Sequence, residues 1–155
     1  MNNKMKITGV APMIAVPTFL YMILTILVTY LADGKFKINA ESNPVIVAVG
    51  VLLILAGVFI VASCGRKLLK SFDKDILMTD GLYKVFRNPM YAAYLIFIIP
   101  GISLLFNSWL TLTTIILNYI LLSVLIKCEY QYLHKVFGKE YEEYLKKVLI
   151  KFLWT

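Results

Sequence analysis

The run NPMYAAYLIFIIPGISLLFNSWLTLTTIILNYILLSVLI, Asn88 to Ile126, contains no charged residue. A membrane helix needs about 20 residues, at roughly 1.5 Å each, to cross about 30 Å of hydrocarbon, so this run is long enough for two crossings and must reverse. Asn107-Ser108 is its most polar pair, and Trp109 follows where an interfacial aromatic belongs. Pro100-Gly101 offers a competing turn, or equally a kink inside the third helix, because membrane helices tolerate both residues.

Two further stretches free of charge lie upstream, between Lys6 and Asp33 and between Glu41 and Arg66, each suited to one helix. Four spans follow, approximately Val10 to Ala32, Pro44 to Cys64, Pro89 to Phe106 and Trp109 to Ile126. The composition agrees: 60% hydrophobic against 16% charged residues lies outside the range of soluble domains. The fold class is therefore an all-α integral membrane protein with about four transmembrane helices. No repeat or Ser/Pro/Gly-rich linker divides the chain, so residues 1–155 read as a single membrane domain.

Fourteen of the sixteen Lys and Arg residues fall in the N-terminal tail, the loop between spans two and three, and the C-terminal tail; only Lys35 and Lys37 fall on the other side. The positive-inside rule puts both termini in the cytosol, at the cell membrane if the source is bacterial. The net charge of +7 needs no nucleic acid, because cationic loops face anionic membrane lipids. The first span follows two lysines as a secretory signal would, but Tyr30 occupies the position where a small residue should precede cleavage, which predicts an uncleaved anchor. Cys64 and Cys128 sit at cytosolic ends outside any Cys-x-x-Cys pair, which argues against a disulfide.

After Phe137 the spacing changes. Phe137, Tyr141, Tyr144, Val148 and Phe152 recur every three or four residues, while Lys139, Glu142, Glu143, Lys146 and Lys147 fall mostly elsewhere. This predicts a cytosolic amphipathic helix lying along the membrane interface, with Glu142–Lys146 and Glu143–Lys147 as i,i+4 pairs.

Several chemistries are excluded. His134 is the only histidine, no cluster of His, Cys and carboxylates has metal-ligand spacing, and neither a phosphate-binding loop nor a Gly-x-Gly-x-x-Gly fingerprint occurs. No metal is expected. What remains is a polar and aromatic group at the cytosolic boundary: Tyr83, Arg87, Asn88 and Tyr91 from the central loop, and Lys127, Glu129 and His134 after span four. Pro89 disfavours helical geometry at Asn88, so span three starts there with its first-turn amides beside the Arg87 guanidinium, a corner suited to a ligand carboxylate. A cationic ligand group would instead take Glu129 or a tyrosine face. On spacing alone, Arg87 equally suits a headgroup contact, Glu129 a helix-end ion pair and the tyrosines an interfacial belt.

DGLYKVFRNPMYAAY, Asp80 to Tyr94, resembles the Gly-x-Tyr-x-x-x-Arg-His-Pro-x-Tyr segment of the isoprenylcysteine carboxyl methyltransferase family and its phospholipid N-methyltransferase relatives. EYQYLHKVFGKEYEEY, Glu129 to Tyr144, resembles that family's Glu-Glu-x-x-Leu-x-x-x-Phe-Gly-x-x-Tyr-x-x-Tyr stretch. The resemblance runs from about Asp75 to Tyr144. It implies an S-adenosylmethionine-dependent membrane methyltransferase acting on a lipid-like or prenylated acceptor. Carried over by position, Asp75, Ile76, Leu77, Met78 and Tyr83 line the cofactor, Asn88, Pro89, Met90 and Tyr91 form the corner around its amino-acid part, and Glu129 binds it from the second motif. Arg87, Glu129 and Lys127 are the candidate catalytic residues. Three positions depart from the pattern: Asn88 replaces the histidine, Tyr130 replaces the second glutamate, and Leu125 stands where prenylcysteine methyltransferases place a substrate-binding arginine, with only Lys127 close by. The alternatives are an NADPH-dependent membrane reductase of the steroid and sterol type, whose C-terminal half looks related, and a non-enzymatic membrane scaffold. The sequence leaves the acceptor and the oligomeric state open.

Overall fold

The computed structural model describes residues 10–39, 43–72 and 76–150. The elements are α1 (Ala11–Leu31), α2 (Pro44–Phe72), a 3-10 turn (Gly81–Lys84), α3 (Pro89–Ala93), a π-helical turn (Tyr94–Ile98), α4 (Ile99–Leu105), a second 3-10 turn (Trp109–Leu112) and α5 (Thr113–Lys147). Three helices are long and apolar enough to cross a membrane, and Pro89–Leu105 forms a shorter apolar rod, so the chain is an all-α integral membrane protein.

Prolines set the starts. Pro44 opens α2, Pro89 opens α3 and Pro12 sits in the first turn of α1, where a missing N–H is not wanted by the helix anyway. Pro100 falls inside the rod and does not turn the chain. Its ring crowds the carbonyl four residues back, and the preceding turn widens, with the Ile99 N–H bonded to the Tyr94 carbonyl. The reversal falls instead at Asn107 and Ser108. Asn107 takes φ 50°, and the Ser108 hydroxyl accepts from the Thr111 N–H at 3.3 Å.

The reversal is fastened to the loop that follows α1. Asn107 Oδ1 accepts from the Asn39 N–H at 3.0 Å and its Nδ2 donates to the Asn39 carbonyl at 2.9 Å, while the Phe36 and Trp109 rings lie 5.5 Å apart. Behind it, Thr29 and Ser108 share a 2.6 Å hydrogen bond, Ser103 donates to the Ser108 carbonyl and Thr111 donates to Ser108. These buried hydroxyls satisfy one another where no water is at hand.

Backbone contact joins α2 to the rod. A Cβ on Gly101 would stand 2.8 Å from the Gly50 carbonyl oxygen, and one on Gly50 equally close to that of Gly101, so only glycine permits this approach.

Two boundaries differ from expectation. Helix α2 continues past Cys64 to Phe72, because neither Gly65 nor the basic residues after it break helical geometry. The span and the amphipathic stretch are one helix, α5, bent at Gly138, whose φ of 46° and ψ of −118° suit glycine alone. The aromatic face beyond that bend packs within the protein. Tyr141, Tyr144 and Val148 are buried with Leu77 against the chain's own loop. Glu142 pairs with His134 across the bend at 2.9 Å, not with Lys146. Phe152 lies outside the described residues.

Candidate functional site

Three elements build the cavity end of the bundle. The loop after α2 borders the cavity at residues between 76 and 88, the rod starts there at Pro89, and α5 runs on past the uncharged stretch that ends at Ile126 and bends at Gly138. The bend lets residues on both sides of it reach the same loop. Past it, the Tyr144 hydroxyl donates to the Tyr83 carbonyl at 2.8 Å. The Ile150 N–H donates to the Val85 carbonyl at 2.7 Å and the Arg87 N–H to the Ile150 carbonyl at 3.1 Å, so the end of the described chain is clamped to the segment before Asn88.

Arg87 is only 6% exposed. Its guanidinium lies over the Tyr130 ring, 3.2 Å from the centroid, and donates through Nε (3.2 Å) and Nη2 (2.6 Å) to the Tyr141 hydroxyl. A desolvated guanidinium on an aromatic face is a strong form of this contact. The Asn88 amide donates to the Tyr130 hydroxyl, and the Tyr91 hydroxyl donates to Glu129 Oε2 at 3.3 Å. Two of the three positions where the sequence departs from the family pattern, Asn88 and Tyr130, are thus bonded to each other.

A cavity of about 850 Å³ opens beside this network. Of the residues singled out from the sequence, Ile76, Leu77, Met78, Tyr83, Arg87, Asn88, Pro89, Met90, Tyr91 and Glu129 all border it. Asp75 lies outside the described residues. Lys127 is exposed and is not among the residues that border the cavity. Two residues along a helix rotate a side chain by about 200°, so α5 cannot aim Lys127 and Glu129 at one site. His134 also lies off the cavity, exposed and paired with Glu142.

Burial governs the electrostatics. Desolvation lifts the Glu129 carboxyl, which follows the uncharged run ending at Ile126, above the ordinary glutamate range; the hydrogen bond from Tyr91 pulls it partly back. Burial also pushes the Tyr83 phenol well up and that of Tyr144 up to about 12, so both are neutral hydroxyls at physiological pH. Among the described residues the cavity therefore offers one carboxylate, several neutral tyrosines and the uncapped start of the rod at Asn88.

The inner part of the cavity was not anticipated. Helix α1 borders it through Ile14, Thr18 and Met22, and α5 through Asn118, although the sequence reading gave the first two spans no part in the site. Thr18 and Asn118 are polar residues within apolar spans, and that was the available signal. Exposed lining residues Val16 and Phe19 on α1 and Leu69 on α2 put the mouth on the side of the bundle.

Fold and cavity together define an all-helical membrane protein whose pocket is polar at one end and apolar along the spans. The chain belongs to the phospholipid methyltransferase family, whose family model matches residues 45–140. It is similar to a probable protein-S-isoprenylcysteine O-methyltransferase of rice, Oryza sativa subsp. indica, at 34% identity over 76 residues, covering 49% of this chain and 40% of the rice protein. It is also similar to the protein-S-isoprenylcysteine O-methyltransferase of Schizosaccharomyces pombe, at 38% identity over 77 residues, covering 49% of this chain and 33% of the yeast protein. The match thus spans less than half of either relative's length. No solved structure matches the chain.

Proposed function

We propose that this chain is an integral-membrane methyltransferase that uses S-adenosylmethionine and acts on a lipid-like acceptor, prenylated molecules included, with both termini in the cytosol. The observation that carries the proposal is the single cavity bordered by both motif segments, from Ile76 to Tyr91 and at Glu129, and continued by apolar walls from α1 and the rod. Family membership favours this reading over the nicotinamide-dependent reductase. The distribution of Lys and Arg supports the orientation.

The donor set fits the cofactor. Glu129 is placed for its ammonium or ribose hydroxyls, the tyrosine faces for its sulfonium, and the amides at the rod's start for its carboxylate. The volume lies high in the range of about 300–1,000 Å³ typical of ligand sites, leaving room for a second molecule. When bound, S-adenosylmethionine supplies a methyl group on a positively charged sulfur. Because transfer is an in-line displacement, no protein nucleophile is required; the chain's work is to align the two partners and keep water out. The side opening gives a hydrophobic acceptor access from the bilayer. Arg87 holds Tyr130 and Tyr141 in the cavity wall, so its role here is positioning.

The test is to incubate membranes containing the protein with methyl-labelled S-adenosylmethionine and identify labelled lipid-soluble products by mass, alongside titration of purified protein with S-adenosylmethionine and NADPH. Label in a membrane-soluble product and binding of S-adenosylmethionine are expected. Binding of NADPH with none of S-adenosylmethionine overturns the proposal.

A further inference from the structure

Among the buried polar side chains of the described residues, two atoms lack a hydrogen-bond partner, Thr114 Oγ1 and Asn118 Oδ1, and of the two residues only Asn118 borders the cavity. Thr25, Thr29, Ser103, Ser108 and Thr111 bond to one another or to backbone carbonyls near the reversal. Asn118 is 4% exposed and donates through Nδ2 to Thr18 Oγ1 at 3.1 Å, but its Oδ1 has no hydrogen-bond partner among the described residues. A buried acceptor left unpaired costs about 1–3 kcal/mol, and the bilayer offers no water to relieve it. Asn118 and Thr18 both border the cavity. Thr18 accepts from Asn118, which leaves its own hydroxyl proton to donate. The pair therefore presents one acceptor and one donor side by side in an otherwise apolar lining.

We propose that Asn118 and Thr18 form a subsite for a hydroxyl group carried on the hydrocarbon part of the cavity's ligand. A hydroxyl donates one hydrogen bond and accepts others, matching what the two residues leave open, whereas a charged group would find no counter-ion there. Asparagine χ2 is soft, so the Asn118 oxygen can turn to a ligand without a change of backbone. Asn118 precedes Glu129 by eleven residues, about 16 Å along the helix axis, so the hydroxyl belongs well down the chain from a headgroup held at the polar end. This deepens the reading of the cavity as the acceptor's site and rests on it: the ligand class is an amphiphile with a polar head and a hydroxylated chain.

The test compares dodecanoate with its terminally hydroxylated counterpart as probes of purified full-length protein, read by competition binding in nanodiscs. Each probe partitions alike with wild type and variant, so the variant comparison isolates the subsite. Asn118→Leu should weaken the hydroxylated probe roughly three- to tenfold, the scale of one buried hydrogen bond, and leave plain dodecanoate within about twofold. Thr18→Val, nearly isosteric, should act in the same direction and keeps the test open if Asn118→Leu does not fold. Equal effects on both probes, no effect on either, or no binding of either probe to wild type overturns the proposal. S-adenosylmethionine binding is measured on the same samples and should be unchanged. Its absence, with chain discrimination intact, would count against the methyltransferase reading and not against the subsite.

Discussion

Replacing Glu129 by Gln should move two measurements in opposite directions. Glu129 is the one carboxylate bordering the cavity among the described residues, half-buried and bonded to Tyr91 at 3.3 Å. Its charge is what a cationic part of the cofactor would meet. Loss of one charge-assisted hydrogen bond is worth about 1.5–3 kcal/mol, which converts to a roughly 10- to 150-fold weaker Kd for S-adenosylmethionine. Stability of the ligand-free protein should instead rise. Burial lifts the Glu129 carboxyl above its unfolded value, so its ionisation opposes folding. Below the ordinary glutamate pKa the group is neutral folded or unfolded and the variant gains nothing. As pH climbs through the raised folded pKa, wild type loses stability that the glutamine variant keeps, and the gap is complete above that pKa. The amide oxygen of glutamine still accepts from Tyr91. Isothermal titration in nanodiscs measures the affinity, and melting temperature from about pH 5 to about pH 8 measures the stability. An unchanged affinity removes Glu129 from the site, and a lower melting temperature at neutral pH refutes the desolvation argument.

Arg87→Ala should lower stability by about 3 kcal/mol, since it removes a buried cation–π contact and the bonds to Tyr141, and Arg87→Lys should recover only part of this; thermal melts decide it. Gly101→Ala should cost about 1–3 kcal/mol by forcing the rod away from Gly50, and melting no lower than wild type would contradict the contact. Gly138→Ala should cost about 1–2 kcal/mol of strain and weaken cofactor binding, because a straightened α5 carries Tyr141 and Tyr144 off the loop; titration of the folded variant checks it.

The apolar helices were legible because charge is so expensive in hydrocarbon that uncharged runs mark where they lie. The reversal at Asn107-Ser108 was legible for the same reason, while Pro100 could be read as turn or kink until its neighbours showed a widened turn. Helix ends were harder. Cys64 looked like the end of a span because the uncharged run stops there, yet the helix runs on to Phe72, since charge does not end backbone hydrogen bonding. At the site, motif spacing pointed to Tyr83, Asn88, Tyr91 and Glu129, which share one cavity. It could not show that Arg87 would turn to Tyr130 and Tyr141, because that depends on the bend at Gly138, and a lone glycine in a helical pattern does not announce its dihedral angles. Lys127 was favoured by nearness in sequence, and helical rotation separates it from Glu129.

The way α1 is attached bears on how the protein would respond to its surroundings. Tyr21, Thr25 and Thr29 bond it to Thr113, Thr111 and Ser108 towards the loop end, whereas towards the cavity Thr18–Asn118 is its one side-chain hydrogen bond to α5 among the described residues, the rest being apolar packing. Such a helix is pinned like a door at one edge. A bilayer thicker or thinner than its apolar length shifts its tilt, and with the loop end fixed the swing falls on the wall that holds Phe19. Membrane thickness, set by the lipids a cell makes, would then adjust how wide the gateway stands.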